Sequence, residues 1–343
     1  MKAIVKQHPS RGLTFVENAP IPEPKAGEVQ VKITHTAICG SDLHIYQWNE
    51  WAQNTLSPPV TVGHEFVGQI AKLGPGVKGW QVGERVSGEG HLVCEKCRNC
   101  RAGKRHLCIR TQGIGIHTNG AFAEFMCIPA TNLYRIPPAI PNNIAAMLDP
   151  FGNAVHTALA FPVIGEDILI TGAGPIGIMA GLVAQHTGAR HVVITDIQAE
   201  RLKLAHQLGI PHAVHSDSVT IQAKMKELGI QSGFDVGFEM SGNSQAIEVM
   251  LQHMHHGSSI ALLGVASGKI QLNLNEIVFK SISLRGIYGR EIFETWYKMI
   301  AMLEGGLDIS SLITHELAAK NFEQGISLLE QGKALKVILT WET

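Results

Sequence analysis

Long apolar runs, an excess of one charge and internal repeats are all missing from this 343-residue chain. The most apolar stretch, Ile176 to Ala184, is broken by glycine and followed by Gln185 and His186. It is too short to span a bilayer, which needs about 20 apolar residues. The opening Met1-Lys-Ala-Ile-Val-Lys-Gln-His-Pro-Ser has no apolar core of a secretory signal. With 28 Lys+Arg against 29 Asp+Glu the net charge is −1, so the electrostatic footprint of nucleic-acid or anionic-membrane binding is absent. These absences predict a soluble, cytoplasmic protein without nucleic-acid or membrane partners. Hydrophobic residues make up 45%, enough to bury a sizeable core. The length suits about two domains at roughly 150 residues each.

Cysteine is scarce, at six, and unevenly placed: Cys94, Cys97, Cys100 and Cys108 are crowded, while Cys39 and Cys127 stand apart. In a reducing compartment such a cluster reads as metal-binding or catalytic, not as a disulfide framework.

The first 140 residues hold short alternating runs, such as Glu28-Val-Gln-Val-Lys-Ile-Thr-His35, Phe66-Val-Gly-Gln-Ile-Ala-Lys-Leu73 and Phe122-Ala-Glu-Phe-Met-Cys-Ile128. They predict an antiparallel barrel or sandwich with long loops. Pro129, Pro137, Pro138 and Pro141 mark a hinge region. From Asp149 to Tyr288, continuous apolar runs at Ile168, Val192, Phe234 and Ile260 alternate with helical segments. That is the pattern of a parallel sheet covered on both faces. The tail carries helices at Phe293–Leu303 and Asn321–Gln331 and a closing strand from Lys336, expected to return to the first sheet.

Gly172-Ala-Gly-Pro-Ile-Gly177 follows the strand Asp167-Ile-Leu-Ile-Thr and opens an apolar helix. Gly172 permits the tight turn, Gly174 lets the backbone approach a pyrophosphate, and Gly177 lets helix and strand pack closely. The next strand ends in Asp196, an acid placed to bond ribose hydroxyls and repel a 2′-phosphate. NAD is therefore expected over NADP, although Arg201 nearby could favour a phosphate.

Cys94-x2-Cys97-x2-Cys100-x7-Cys108 can bring four thiolates into one small volume, as a closed structural Zn²⁺ site requires. An iron–sulfur centre uses similar ligands, but its spacing continues x3-Cys-Pro, absent here. Cys39-Gly-Ser-Asp-Leu-His44 and Gly63-His-Glu65 each set zinc-type ligands beside glycine. One thiolate, one imidazole and one carboxylate would leave a position open for substrate, as catalytic zinc requires. Cys127 reads as an ordinary core residue.

Taken together, the cysteine loop, Cys39, Gly63-His-Glu65 and the glycine loop resemble the zinc-dependent medium-chain dehydrogenases over essentially the whole chain. Four stretches carry the resemblance furthest, toward the branch that oxidises L-threonine. They are Thr36-Ala-Ile-Cys-Gly-Ser-Asp-Leu-His-Ile-Tyr-Gln-Trp-Asn-Glu-Trp51, Ser87-Gly-Glu-Gly-His91, Asp149-Pro-Phe-Gly-Asn-Ala-Val-His156 and Gly286-Ile-Tyr-Gly-Arg-Glu-Ile-Phe-Glu-Thr-Trp-Tyr297.

The resemblance implies an α/β fold: a GroES-like β-barrel catalytic domain over 1–148 with the structural zinc loop, a Rossmann doubly wound parallel-sheet domain over 149–290, and a C-terminal part, 291–343, returning to the catalytic domain. It implies a cytoplasmic homotetramer that oxidises L-threonine to L-2-amino-3-oxobutanoate with NAD and two zinc ions per subunit, one catalytic and one structural. Cys39, His64 and Glu65 fall on the catalytic zinc ligands, and Asp149 on an acid near the metal; which of Glu65 and Asp149 ligates is left open. Ser41 and His44 fall on a proton relay, where the family often has Thr for Ser41. Ile176, Asp196, Arg201, Leu263, Gly264, Val265, Ile287 and Tyr288 fall on NAD contacts, with Arg201 at the adenosine end. Arg290 is a candidate for the substrate carboxylate or, equally, an ion-pair residue; Trp48 and Trp51 form either a lid or a subunit contact. The rival readings are a sorbitol-type polyol dehydrogenase and a non-catalytic zinc- and NAD-binding protein.

Overall fold

The computed structural model describes residues 1–266 and 268–341; Glu342 and Thr343 of the expected tail lie outside the described residues. The chain divides into two compact units. The first contains Met1–Pro150, Glu291–Trp296 and the segment from Ser310 onward; the second contains Phe151–Arg290 and Tyr297–Ile309. The helix Glu294–Glu304 thus contributes to both units, whereas the sequence grouped it with the tail.

In the first unit the ten-residue strand Glu28–Ala37 is the organising element. It pairs antiparallel with Phe66–Leu73, with Phe125–Pro129 and with the closing strand Lys336–Thr340. These belong to a seven-stranded sheet, beside a three-stranded sheet built on Ala3–Lys6 and a small pair within His91–Gly113. Val29, Val31 and Ile33 alternate inward and are fully buried with Phe66, Phe122 and Leu339. Each such side chain contributes about 1.5–3 kcal/mol by leaving water. Trp341 ties off the closing strand by donating its indole N–H to Thr36 Oγ1 at 2.9 Å.

The second unit is a six-stranded, all-parallel sheet. Its central strand Asp167–Thr171 is buried at every position, which is why it reads as an unbroken apolar run. The following helix, Pro175–Thr187, starts with Pro in its first turn and stops at Gly188 with φ 106°, the expected start and stop chemistry. Of the two edge strands, His212–His215 carries no buried apolar run and has no sequence signal, whereas Ser283–Gly286 ends just before Ile287-Tyr288, where the sequence places a strand end. Among the described residues no helix is long and apolar enough to cross a membrane.

Candidate active site

Cys94, Cys97, Cys100 and Cys108 each bring a sulfur within 4.8 Å of the others. Cys97 begins a one-turn helix, Arg98–Arg101, and the turn carries Cys100 back to a sulfur–sulfur distance of 3.5 Å. Backbone N–H groups of Cys94 and Arg110 donate to Cys108 Sγ at 3.3 Å. Hydrogen bonds from the Cys100 and Ile109 backbone hold the Cys97 thiol down to about 6. Four reduced sulfurs with N–H donors aimed at them fit a closed, tetrahedral zinc site.

A second cluster comes from distant segments. Cys39, at the start of the helix Gly40–Gln47, donates its backbone N–H to Asp42 Oδ2 at 2.9 Å. His64 and Glu65 immediately precede the strand Phe66–Leu73. Its pairing with Glu28–Ala37, extended by Ala37 N–H to Glu65 O at 3.1 Å, brings the two segments side by side. Gly63 has φ 86°, and a Cβ there would overlap the Phe122 ring, so only glycine fits. Cys39, His64 and Glu65 then offer ligand atoms within 4.8 Å of one another.

Glu65 is fully buried, with Lys336 Nζ 2.5 Å from its Oε2; the same ammonium donates to Ile38 O at 3.0 Å. Sequence reading missed Lys336, which looks like the first residue of an ordinary strand. Asp149 Oδ1 lies 4.0 Å from His64 Nε2. Burial opposes charge on the His64 imidazole, yet Cys39, Asp42 and Asp149 outweigh it and raise the group well above its ordinary value. His64 Nδ1, Glu65 Oε1, Asp42 Oδ1 and Ser41 Oγ are buried without a hydrogen-bond partner. A thiolate, an imidazole and a carboxylate with unspent acceptors fit a divalent zinc ion.

Ser41 and His44 sit three residues apart on the helix Gly40–Gln47, hence on neighbouring faces. Ser41 Oγ is buried, and His44 is exposed. His44 Nδ1 lies 2.9 Å from Asn49 Nδ2, and the Trp51 ring meets the imidazole edge-on at 6.1 Å. Asn49 had no sequence signal beyond its suitability as a helix cap.

In the second unit the three glycines differ in what their positions allow. Gly172 has φ 96°, and a Cβ on Gly177 would overlap the Gly172 carbonyl. Beside Gly174 there is open space. A cavity of about 490 Å³ is lined by Gly172, Gly174, Asp196, Arg201, Ser241 and Asn243, among others. Asp196 is buried. Its Oδ2 accepts from Ala173 N–H and its Oδ1 from Gln198 N–H, both at 2.9 Å, and Arg201 Nη1 approaches at 3.6 Å. The open glycine cradle with an acid at its rim fits an adenosine-containing dinucleotide.

Glu239, unnoticed in the sequence, holds the opposite wall: its Oε1 accepts from the Ser241 and Gly242 N–H groups at 2.8 and 2.9 Å. Ile176 is half-buried at the helix start. Leu263, Gly264, Val265, Ile287 and Tyr288 follow the ends of two adjacent parallel strands and do not line this cavity.

One expectation changes, and of the two alternatives for Arg290 one is disfavoured. Arg290 is 1% exposed, its stem packs on Gly152, and Nη1 donates to Asn153 Oδ1 at 3.1 Å; so enclosed a guanidinium does not suit a substrate carboxylate. Cys127 is half-buried on an outer strand with its thiol toward Pro22 O, rather than in the core.

The family model "Alcohol dehydrogenase GroES-like domain" matches residues 25–138, and "Zinc-binding dehydrogenase" matches 175–305. An L-threonine 3-dehydrogenase of Coxiella burnetii (strain RSA 493 / Nine Mile phase I) is 54% identical over 342 residues, all of both chains. One from Anaeromyxobacter sp. (strain K) is 51% identical over 99% of each. Among solved structures, a protein described as a short chain alcohol dehydrogenase from E. coli CFT073, complexed with cofactor NADH, superposes with a TM-score of 0.90 at 30% identity over 99% of both chains. Galactitol-1-phosphate dehydrogenase from Escherichia coli gives 0.89 at 27%, covering 99% of this chain and all of that one. With its two ligand clusters, its glycine cradle and relatives of this identity over the full length, the chain belongs to the L-threonine 3-dehydrogenase family of zinc-binding dehydrogenases.

Proposed function

We propose that the protein oxidises L-threonine at its secondary alcohol. Threonine and NAD⁺ give L-2-amino-3-oxobutanoate, NADH and one proton. The observation that carries this reading is the convergence of Cys39, His64 and Glu65, with the buried, unpartnered Ser41 hydroxyl two residues beyond Cys39 in the chain. Cys39, His64 and Glu65 would hold the catalytic zinc, with Asp149 beside His64, and the four clustered cysteines a structural one. Zinc, when bound, supplies the Lewis acidity that brings an alcohol's deprotonation toward neutral pH; the dinucleotide supplies the hydride acceptor.

The chain's own residues do the rest. Ser41 Oγ relays the hydroxyl proton, accepting it as it gives up its own, and His44, on the solvent side of the same helix, passes a proton on to water. The Asp196 carboxylate discriminates against a 2′-phosphate, while Arg201 steadies the adenosine end. A reducing, cytoplasmic location belongs to this reading because the four-cysteine cluster needs reduced sulfur.

Assembly into a homotetramer is part of the same proposal. The edge strand Ser283–Gly286 is exposed along its length, and Leu274, Val278 and Phe279 of the preceding helix are exposed as well. An open strand edge flanked by apolar side chains suits pairing with a second copy. Light scattering should then report four chains.

The test of activity is NADH absorbance with L-threonine or sorbitol as the alcohol. NADH formation with L-threonine, abolished by a chelator, is expected. Turnover with sorbitol alone would replace the threonine reading by a polyol dehydrogenase.

A further inference from the structure

A buried lysine outside both ligand clusters governs the far end of the helix that carries Ser41 and His44. Lys6 closes the strand Ala3–Lys6 and is 0% exposed. Its ammonium donates to the carbonyls of Ser10, Gly12 and Ile45, the last two at 3.0 and 2.8 Å. Three N–H donors meet three carbonyls. Ile45 belongs to the last turn of the helix, where a positive charge is favoured. The same ammonium lies 4.7 Å from the Trp48 ring centroid, within cation–π range.

Trp48 ends this helix in the left-handed region, φ 56° and ψ 46°. That conformation is costly for a bulky side chain and persists only where its surroundings hold it. Its N–H returns to the His44 and Ile45 carbonyls, so Lys6 and Trp48 share the Ile45 oxygen. The turn delivers Asn49. Asn49 Oδ1 is committed to the Ala52 N–H at 3.1 Å, which leaves Nδ2 to face His44 Nδ1. A continuous series of contacts thus runs from Lys6 through Trp48 and Asn49 to the imidazole.

We propose that Lys6 is a positioning residue for proton release: by clamping the helix end and the Trp48 ring it sets the Asn49–His44 contact and hence where His44 can receive a proton. The inference rests on the reading of Ser41 and His44 as the proton path.

Lys6→Met, which keeps the length and removes the charge, is compared with Trp48→Leu and His44→Gln. The readouts are kcat, KM for L-threonine, NADH affinity by fluorescence, Tm, the solvent deuterium isotope effect, and rescue by free imidazole. His44→Gln should lower kcat by about 100-fold, restored in part by imidazole. Lys6→Met and Trp48→Leu should lower kcat by about 10-fold or more, with a larger isotope effect, partial imidazole rescue and unchanged NADH affinity. Wild-type kcat and isotope effect in Lys6→Met would overturn the inference, as would a loss that imidazole does not touch. If Lys6→Met fails to fold, Trp48→Leu decides by the same readouts. Wild-type turnover in His44→Gln would instead refute the proton path itself, whatever Lys6 does.

Discussion

Cys94, Cys97, Cys100 and Cys108 come from one short stretch and meet because a single turn of helix folds it back on itself. Cys39, His64 and Glu65 meet only because two strands pair in one register, and a third strand brings Lys336 against Glu65. The first cluster has four equivalent donors and backbone N–H groups on its sulfurs, so nothing in it is left for a substrate. The second has three different donors and buried acceptors without partners. A local cluster shapes its own loop; a cluster assembled by the sheet depends on the whole unit and keeps reactivity unspent. On the proposed assignment, contiguity separates a structural role from a chemical one more sharply than ligand identity does.

Exchanging a ligand in each cluster breaks this comparison most directly. Cys39→Ser should cut turnover by about a thousandfold or more, while the chain stays folded, binds NADH and retains one zinc per chain. Cys97→Ser should also lose one zinc, but with a fall in Tm, since metal-binding energy there is folding energy. Zinc analysis, turnover and calorimetry on both variants check this, and near-normal turnover in Cys39→Ser would contradict it.

Lys336→Met comes next. In the zinc-free protein it leaves Glu65 buried without a counter-charge and should cost about 3–5 kcal/mol in denaturant unfolding. A loss below 1 kcal/mol, on the scale of about 0–1 kcal/mol for an exposed pair, would show that the ion pair does not hold the centre together. Ser41→Ala should lower kcat by about 100-fold with little change in NADH affinity, and Ser41→Thr should keep most of the rate because the hydroxyl survives.

The smallest effect lies in the second unit. Burial raises the Asp167 carboxyl, but hydrogen bonds from Arg190 and His191 outweigh it and hold the group below its ordinary value. Its stabilisation is present above the unfolded value, about 3.9, and is lost as pH falls through the lower folded value. Asp167→Asn should flatten the Tm–pH curve on the acid side and leave turnover alone.

The difference between the clusters also explains what was legible in the sequence. The four cysteines and the glycine loop are local patterns, each with its geometry written in spacing. Cys39 and Gly63-His-Glu65 became meaningful only through resemblance, because register joins them and no spacing announces register. Lys336, Lys6 and Asn49 carry no motif: each matters through what tertiary pairing sets beside it, Glu65, the Ile45 carbonyl and His44 respectively. Arg290 stood open between two readings for the converse reason. An arginine beside a strand end looks available to a ligand until Gly152 proves to leave room for its stem. The edge strand His212–His215 was invisible because none of its residues is fully buried and it needs no apolar run.

Zinc-edge anomalous diffraction from crystals grown with NAD⁺ tests the central claim most directly. Two peaks per chain are predicted, one among the four clustered sulfurs and one bounded by Cys39 Sγ, His64 and Glu65. A crystal of protein that turns over L-threonine, with density only at the four sulfurs and with Cys39 and His64 turned away from each other, would contradict the account.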